Sequence, residues 1–420
     1  MLVEFSFFVL GIFSFLSAWY GIKCYRTPLN PLTIFSVTQI GLFTIYSGIV
    51  ATGMLPTYSA TDIVKTLFIS SVYLGGATLP YIFNGALLSR LFGKGIILLR
   101  LNSGTTVLRF SQFKFILILF ASFCSFIALM FFGGGGSLWL TNSREAYMGF
   151  RSGAGPFYAF TQWLMTFAML YYIWCIKPQT LKLCLIVLLF FSAISFLGSK
   201  NNMLTIVVIG MIYYNFRIKS ISYKVYIAFA LLTPIVFLNM LLIQGSYSSM
   251  LEGMLYFRDY FDTTAQMLSR FDEFGFRYGQ GWVSSLWFYV PRGLFPDKPY
   301  EYGFTLIHQV LYPGAAQEGG TPGLLVWSLS YLDFGLFGVF IDGLFVGIFQ
   351  KSAFDYFLKN RENFFAFLLA IHFSIWPIWT FAPLVLVIII SLSQFIFIKL
   401  SWQINRHTQK CTTNIQVSSA

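Results

Sequence analysis

The sequence predicts an all-α protein: a polytopic transmembrane helical bundle of about eleven spans, N-terminus outside and C-terminus inside, with one large loop on the non-cytoplasmic side. Three observations predict it. Of 420 residues, 57% are hydrophobic and only 10% charged, against about 25% charge in a soluble chain. The apolar excess falls in runs near the roughly 20 residues that a helix needs to cross the hydrocarbon core. Lys and Arg flank the runs on alternate sides, as orientation in a membrane requires.

The runs lie near 2–22, 33–54, 63–88, 115–132, 156–176, 181–198, 202–216, 225–243, 323–349, 363–380 and 384–400. The first lacks a basic leader and a small-residue cleavage site, and reads as a retained helix. The last two come from one apolar stretch divided at Pro377 and Pro383. Lys23, Arg26, Arg90, Lys94, Lys114, Lys177, Lys182, Arg217 and Lys219 then share the inner side with Lys351, Lys359, Arg361 and Arg406. The only acids placed there are Asp355 and Glu362. Asp and Glu concentrate on the other side. The formal charge of +12 therefore reads as basic inner loops, not as a footprint for nucleic acid. Cys24, Cys124, Cys175, Cys184 and Cys411 all fall outside the outer segments, so an oxidising compartment finds no pair to bridge. The whole chain reads as one integral membrane domain.

Two outer segments are long, at about 133–155 and 244–322. Loops this long are usually functional or disordered, and the second is too rich in Tyr, Phe, Trp and Gly for disorder. In it Leu251, Leu255, Phe261, Leu268 and Phe271 recur at helical spacing, with Arg258, Asp259, Asp262 and Arg270 free to face the other way. This predicts an amphipathic helix on the membrane surface or over a cavity. Gly275, Gly279 and Gly281 end it.

Next comes GWVSSLWFYVPRGLFPDKP. Its prolines fix the backbone and so hold Arg292 and Lys298 near the bilayer surface. A guanidinium grips phosphate oxygens at two points and an ammonium adds a point charge, which suits a lipid-linked phosphate or pyrophosphate. Lys200, in the outer hairpin Gly198-Ser199-Lys200, could meet the same group. His308 is the one outer histidine, able to exchange a proton near neutral pH. In the ninth span, Gly335, Gly338, Gly343 and Gly347 allow close helix approach. Asp333 and Asp342 are intramembrane acids, candidates by position. Arg144 and Gly155 are separated by ten residues, as are Arg270 and Gly281, and Arg292 and Gly303. No Ser/His/Asp order, P-loop, dinucleotide fingerprint or HExxH metal motif appears, and no Cys/His cluster points to a metal.

The layout resembles the Wzy-type O-antigen (oligosaccharide repeat-unit) polymerases. The resemblance rests on the large late outer loop, on 279–299 with Pro291-Arg292 and Pro296-Asp297-Lys298-Pro299, and on Phe334-Gly335-Leu336-Phe337-Gly338 opening the next span. Lys200 stands where members often carry Arg, and Asp333 where they often carry Glu or Asn. The resemblance implies a metal-independent glycosyltransferase of the bacterial inner membrane, with no cofactor. It would work at the periplasmic face on undecaprenyl-pyrophosphate-linked oligosaccharide, amid membrane lipid, with a chain-length regulator as a further candidate partner. It implies catalytic roles for Arg292, His308 and Asp297, with Glu318 a further candidate base. It implies pyrophosphate contacts from Arg277, Lys298, Lys200, Arg144 and Arg151, and glycan contacts from Trp282, Trp287 and Tyr289. An O-antigen ligase shares the donor chemistry. A flippase or transporter of lipid-linked sugars is the alternative from another class, although repeated halves are not evident.

Overall fold

A computed structural model describes residues 2–38, 59–83, 110–150, 155–228, 250–290, 292, 295–317 and 323–375, with backbone only at 148, 200–201, 250–259 and 375. Most of the predicted second and eighth spans, the eleventh span with the Pro377/Pro383 division, Arg151 and Glu318 lie outside these residues. The described chain is all helix and turn. Its principal helices are α1 (Leu2–Tyr25), α2 (Ala60–Ile82), α3 (Gln112–Phe132), α4 (Gly155–Ile176), α5 (Thr180–Ser195), α6 (Lys200–Arg217), α7 (Met250–Ser269), α8 (Ser328–Lys359) and α9 (Phe364–Ile375). Among the described residues, α1, α2, α3, α4 and α8 are long and apolar enough to cross a membrane; α5 and α9 are shorter apolar helices. The protein is accordingly membrane-embedded. Residues 31–38 and 223–228 are helical where the second and eighth spans are expected to begin.

Local chemistry sets several helix ends. Ser59 caps α2: its hydroxyl accepts the Asp62 N–H and donates to the Asp62 carboxylate at 2.6 Å. Ser111 caps α3 by accepting the Lys114 N–H. Gly198, at φ +65°, turns α5 into α6. A Cβ there would overlap the Ser143 carbonyl, so the first outer loop and this hairpin fit only around glycine.

The helices form two packed groups joined by α8. One apolar core combines α3, α4, α5, α6 and α9 with Phe354 and Phe357 from the far end of α8. The other combines α1, α2 and α7 with the large loop and the first half of α8. The α2–α8 seam is backbone against backbone: a Cβ on Gly343 or Gly347 would overlap the carbonyl of Tyr73 or Ala77. These two glycines thus serve the close approach expected of them. Gly335 does not. It sits at φ +62°, ψ −150° and kinks α8 after two turns.

At one end of the bundle Asp355 accepts from Lys351 at 2.6 Å and from the Tyr25 hydroxyl at 2.8 Å. There too Arg217 pairs with Glu362 at 2.5 Å and lies 4.4 Å over the Trp174 ring. The sequence places all of these on the inner side. The opposite end carries the large loop and the residues 133–150.

The amphipathic expectation for the loop helix is corrected in one respect. Phe261, Ala265, Met267 and Leu268 of α7 are buried as an apolar face should be, but so are Asp262, Thr263 and Thr264. The helix packs against α2 and Phe7, and Thr264 accepts the Leu325 N–H at 3.0 Å. It is an inserted helix with polar groups buried along it, of which Thr264 meets the entrance to α8.

Candidate functional site

The loop after α7 is fastened to the kink in α8. At Gly335 the helix departs from regular dihedrals, which frees carbonyls one turn earlier. The loop takes them up: Arg277 N–H donates to the Leu332 carbonyl and Tyr278 N–H to the Asp333 carbonyl, each at 3.1 Å. The Asp333 side chain, fully buried, accepts the N–H groups of Gly281 and Trp282 at 2.9 and 2.8 Å. A Cβ on Gly281 would lie 2.5 Å from Leu329 and about 3 Å from both Asp333 oxygens. Glycine is therefore what lets a buried carboxylate reach the backbone of the turn. The Trp282 indole donates to Ser330 at 3.3 Å, and Ser330 donates to Asp342 at 2.7 Å. Asp342 is thereby a structural acceptor one step behind the loop.

From this clasp the loop continues through a five-residue helix, Gln280–Ser284, and a 3-10 turn, Ser285–Tyr289. Phe288 packs over Ala159 and Trp163 of α4, and a Cβ on Gly155 would lie 2.7 Å from its carbonyl. Ser284 accepts the Gly303 N–H at 3.0 Å. Gly303 opens a second 3-10 turn, Gly303–Gln309, capped reciprocally by Tyr302 and Thr305. The three glycines that follow an arginine after ten intervening residues thus share a location. Gly281 lies on the 281–288 segment, and Gly155 and Gly303 lie against it. Their arginines diverge: Arg144 reaches Gly198, Arg270 pairs with Glu273, and Arg292 turns to 296–299.

Arg292 uses its guanidinium on its own loop. Nη1 donates to the carbonyls of Lys298 (2.5 Å) and Pro296 (3.4 Å), and Nη2 to that of Pro299 (3.0 Å). Its plane lies 3.7 Å from the Tyr300 ring centroid. Lys298 is buried, at 2% exposure, with Nζ 4.5 Å over the Tyr302 ring and no hydrogen-bond acceptor among the described residues. Burial, and secondarily the like charge of Arg292, bring its pKa from 10.5 to about 8. His308 is equally buried, its ring edge-on to Tyr312 and its Nδ1 without a hydrogen-bond partner among the described residues. Burial lowers its pKa and Glu301 opposes that in part, so the ring is neutral at neutral pH and free to accept a proton.

The other expected residues divide. Arg277 lies beside the clasp, with Nη2 3.5 Å from Gln309 and Nε buried without an acceptor. Arg144 lies at the first outer loop, donating to the Gly198 carbonyl at 3.4 Å and stacking on Tyr147. Lys200 begins α6 two residues further on. Asp297 is exposed in the Arg292 turn. Trp282 is pinned through its indole and edge-on to Phe334. Trp287 is more open, and Tyr289 stacks edge-on with Phe288, its phenol pKa raised by burial. Asp333 was visible in the sequence only as an intramembrane acid; its partners lie some fifty residues earlier and are backbone groups, which no spacing reveals. Among the described residues no cluster of His, Cys, Asp and Glu is suited to a metal ion.

With this geometry in view, comparison with known proteins gives a consistent result. The chain is 30% identical over 144 residues to the O-antigen polymerase of Salmonella typhimurium and equally to that of Salmonella typhi. The similarity covers 31% of this chain and 34% of each relative. No protein-family model matches the chain, and no solved structure does. The chain is a membrane-embedded helical protein that resembles O-antigen polymerases over about a third of its length.

Proposed function

We propose that the protein is an O-antigen polymerase of the bacterial inner membrane. It joins oligosaccharide repeat units carried on undecaprenyl pyrophosphate, at the periplasmic face. The observation that carries this reading is Lys298: a buried cation whose ammonium meets no hydrogen-bond acceptor among the described residues, in a loop clasped to a membrane helix, in a chain similar to named O-antigen polymerases. Burying an ammonium without a counter-ion is costly, and an anionic ligand relieves that cost.

The reaction requires little beyond placement and charge. The acceptor sugar hydroxyl bonds to the anomeric carbon of the growing chain. The bond from that carbon to the carrier oxygen breaks, and its electron pair leaves with the pyrophosphate. Cations stabilise that developing charge, which is the part given to Lys298, with Arg277, Arg144, Lys200 and, from outside the described residues, Arg151 as further candidates. The hydroxyl proton goes to a base. His308 suits this because its ring is neutral, and Asp297 because it is an exposed carboxylate next to Lys298. Trp287 and Tyr289 offer rings for sugar stacking; Trp282 serves the same segment by anchoring it.

The test is deletion and complementation in the native bacterium, read as a lipopolysaccharide ladder on a gel. Loss of the chain leaves core bearing single repeat units, and the intact gene restores the ladder. A ladder that persists without the chain rejects the reading. Accumulation of long polymer not joined to core would identify a ligase instead.

A further inference from the structure

We propose that Arg292 is a positioning residue: it folds the 295–300 turn so that the Lys298 ammonium is the cation presented to the diphosphate of the lipid carrier. The inference rests on the polymerase reading and assigns roles within it.

Three facts carry it. First, Arg292 spends both terminal nitrogens on the carbonyls of Pro296, Lys298 and Pro299. Three of its five N–H donors are thus committed to its own turn, including both ends of the edge formed by the two terminal nitrogens. Second, the opposite surface of the turn is closed by aromatic rings. Tyr300 covers the guanidinium, and Tyr302 lies under the ammonium. Among the described residues the charged group that acts on Lys298 is Arg292; Asp297 is exposed in the turn and Glu301 acts on His308. Third, Tyr302 is not adjustable. Its N–H donates to Thr305, and the next N–H, of Gly303, donates to Ser284. Ser284 belongs to the segment held by Asp333. The ammonium therefore sits on a floor tied to α8 and under a turn tied by Arg292. An amine so placed, 98% buried and without an acceptor among the described residues, is suited to an anion that enters.

The test is binding to the purified full chain in detergent, using geranyl pyrophosphate as the probe and inorganic pyrophosphate as its competitor. Lys298→Ala should weaken geranyl pyrophosphate binding at pH 7 by at least tenfold, while Lys298→Arg keeps it. Wild-type binding should fade as pH rises past about 8, and Lys298→Arg should show no such fade, because a guanidinium stays charged. In Arg292→Gln, loss of the neighbouring charge and of the turn should move the fade to higher pH. Burial is the larger cause of the lowered pKa, so exposure of the ammonium and loss of the neighbouring charge move the fade in the same direction. Wild-type binding in Lys298→Ala, or an unmoved fade in Arg292→Gln, overturns the assignment. Inorganic pyrophosphate competing as well as the geranyl ester would mark a free-diphosphate site and overturn the carrier part. A ladder that survives gene deletion would sink the polymerase reading while leaving these binding results intact.

Discussion

Replacing Asp333 with Ala removes the two acceptor atoms that hold Gly281 and Trp282. Hydrogen bonds to a charged group contribute about 1.5–3 kcal/mol each, and each orphaned buried N–H costs about 1–3 kcal/mol. Two such donors are left behind at a buried site. Removing a buried charge offsets part of the loss, so the net cost to loop docking is about 3 kcal/mol. The Arg277 and Tyr278 backbone bonds remain, so the loop loosens locally and the helices stay packed. At about 1.4 kcal/mol per decade, the undocked population rises roughly 150-fold. Trypsin cleavage after Arg277 reads this directly, because cleavage of a transiently opened segment follows its population. The assay uses the purified full chain in lipid nanodiscs, with fragments identified by mass. Asp333→Asn, which keeps one acceptor oxygen, should fall between wild type and Asp333→Ala. Cleavage of Asp333→Ala within twofold of wild type would refute the clasp.

Further outcomes follow from the same geometry. Lys298→Met should abolish the ladder yet raise thermal stability at pH 7, by up to about 3 kcal/mol from the displacement of its pKa to about 8. The unfolded chain holds the Lys298 proton up to about pH 10.5 and the folded chain only to about 8, so wild-type stability from this group rises with pH across that window. Lys298→Met should lack the rise in a pH series of melting curves. Gly347→Leu should prevent accumulation in the membrane, seen on an immunoblot, because its Cβ meets the Ala77 carbonyl, whereas Gly11→Leu should accumulate normally in open space. Arg217→Ala loses the Glu362 pair and the Trp174 contact and should lower stability by about 1–2 kcal/mol, chiefly from the ring. Arg217 holds the Glu362 pKa below its ordinary value, so that part of the loss should vanish as pH falls through the carboxylate range.

The helices were legible because their signal is local. Runs of apolar residues placed α1, α3 and α4 within a few residues of their observed ends, and α2 and α8 less closely. Gly343 and Gly347 were legible as contact points for the same reason. Arg292 was legible as a cation of the outer loop, but its bonds to the carbonyls of that loop were not, since an arginine bound to carbonyls and one bound to phosphate look alike in a sequence. Asp262 was misjudged because helical periodicity assigns polar residues to the outside, while here it is buried together with Thr263 and Thr264. The clasp at Asp333 escaped because two of its bonds join backbone to backbone and the other two use backbone donors. Only Gly281, Asp333 and Gly335 leave a trace in residue identity, and each alone is common.

The break in α8 at Gly335 has a consequence for how such a chain can vary. A straight helix would consume its own carbonyls and offer the loop nothing; the broken one exposes a backbone socket that any incoming N–H pair can occupy. The two bonds at 277 and 278 use backbone donors, so the attachment itself does not depend on which side chains stand there. A scaffold of this kind tolerates rapid drift in its outer loop while keeping one fixed point on the membrane.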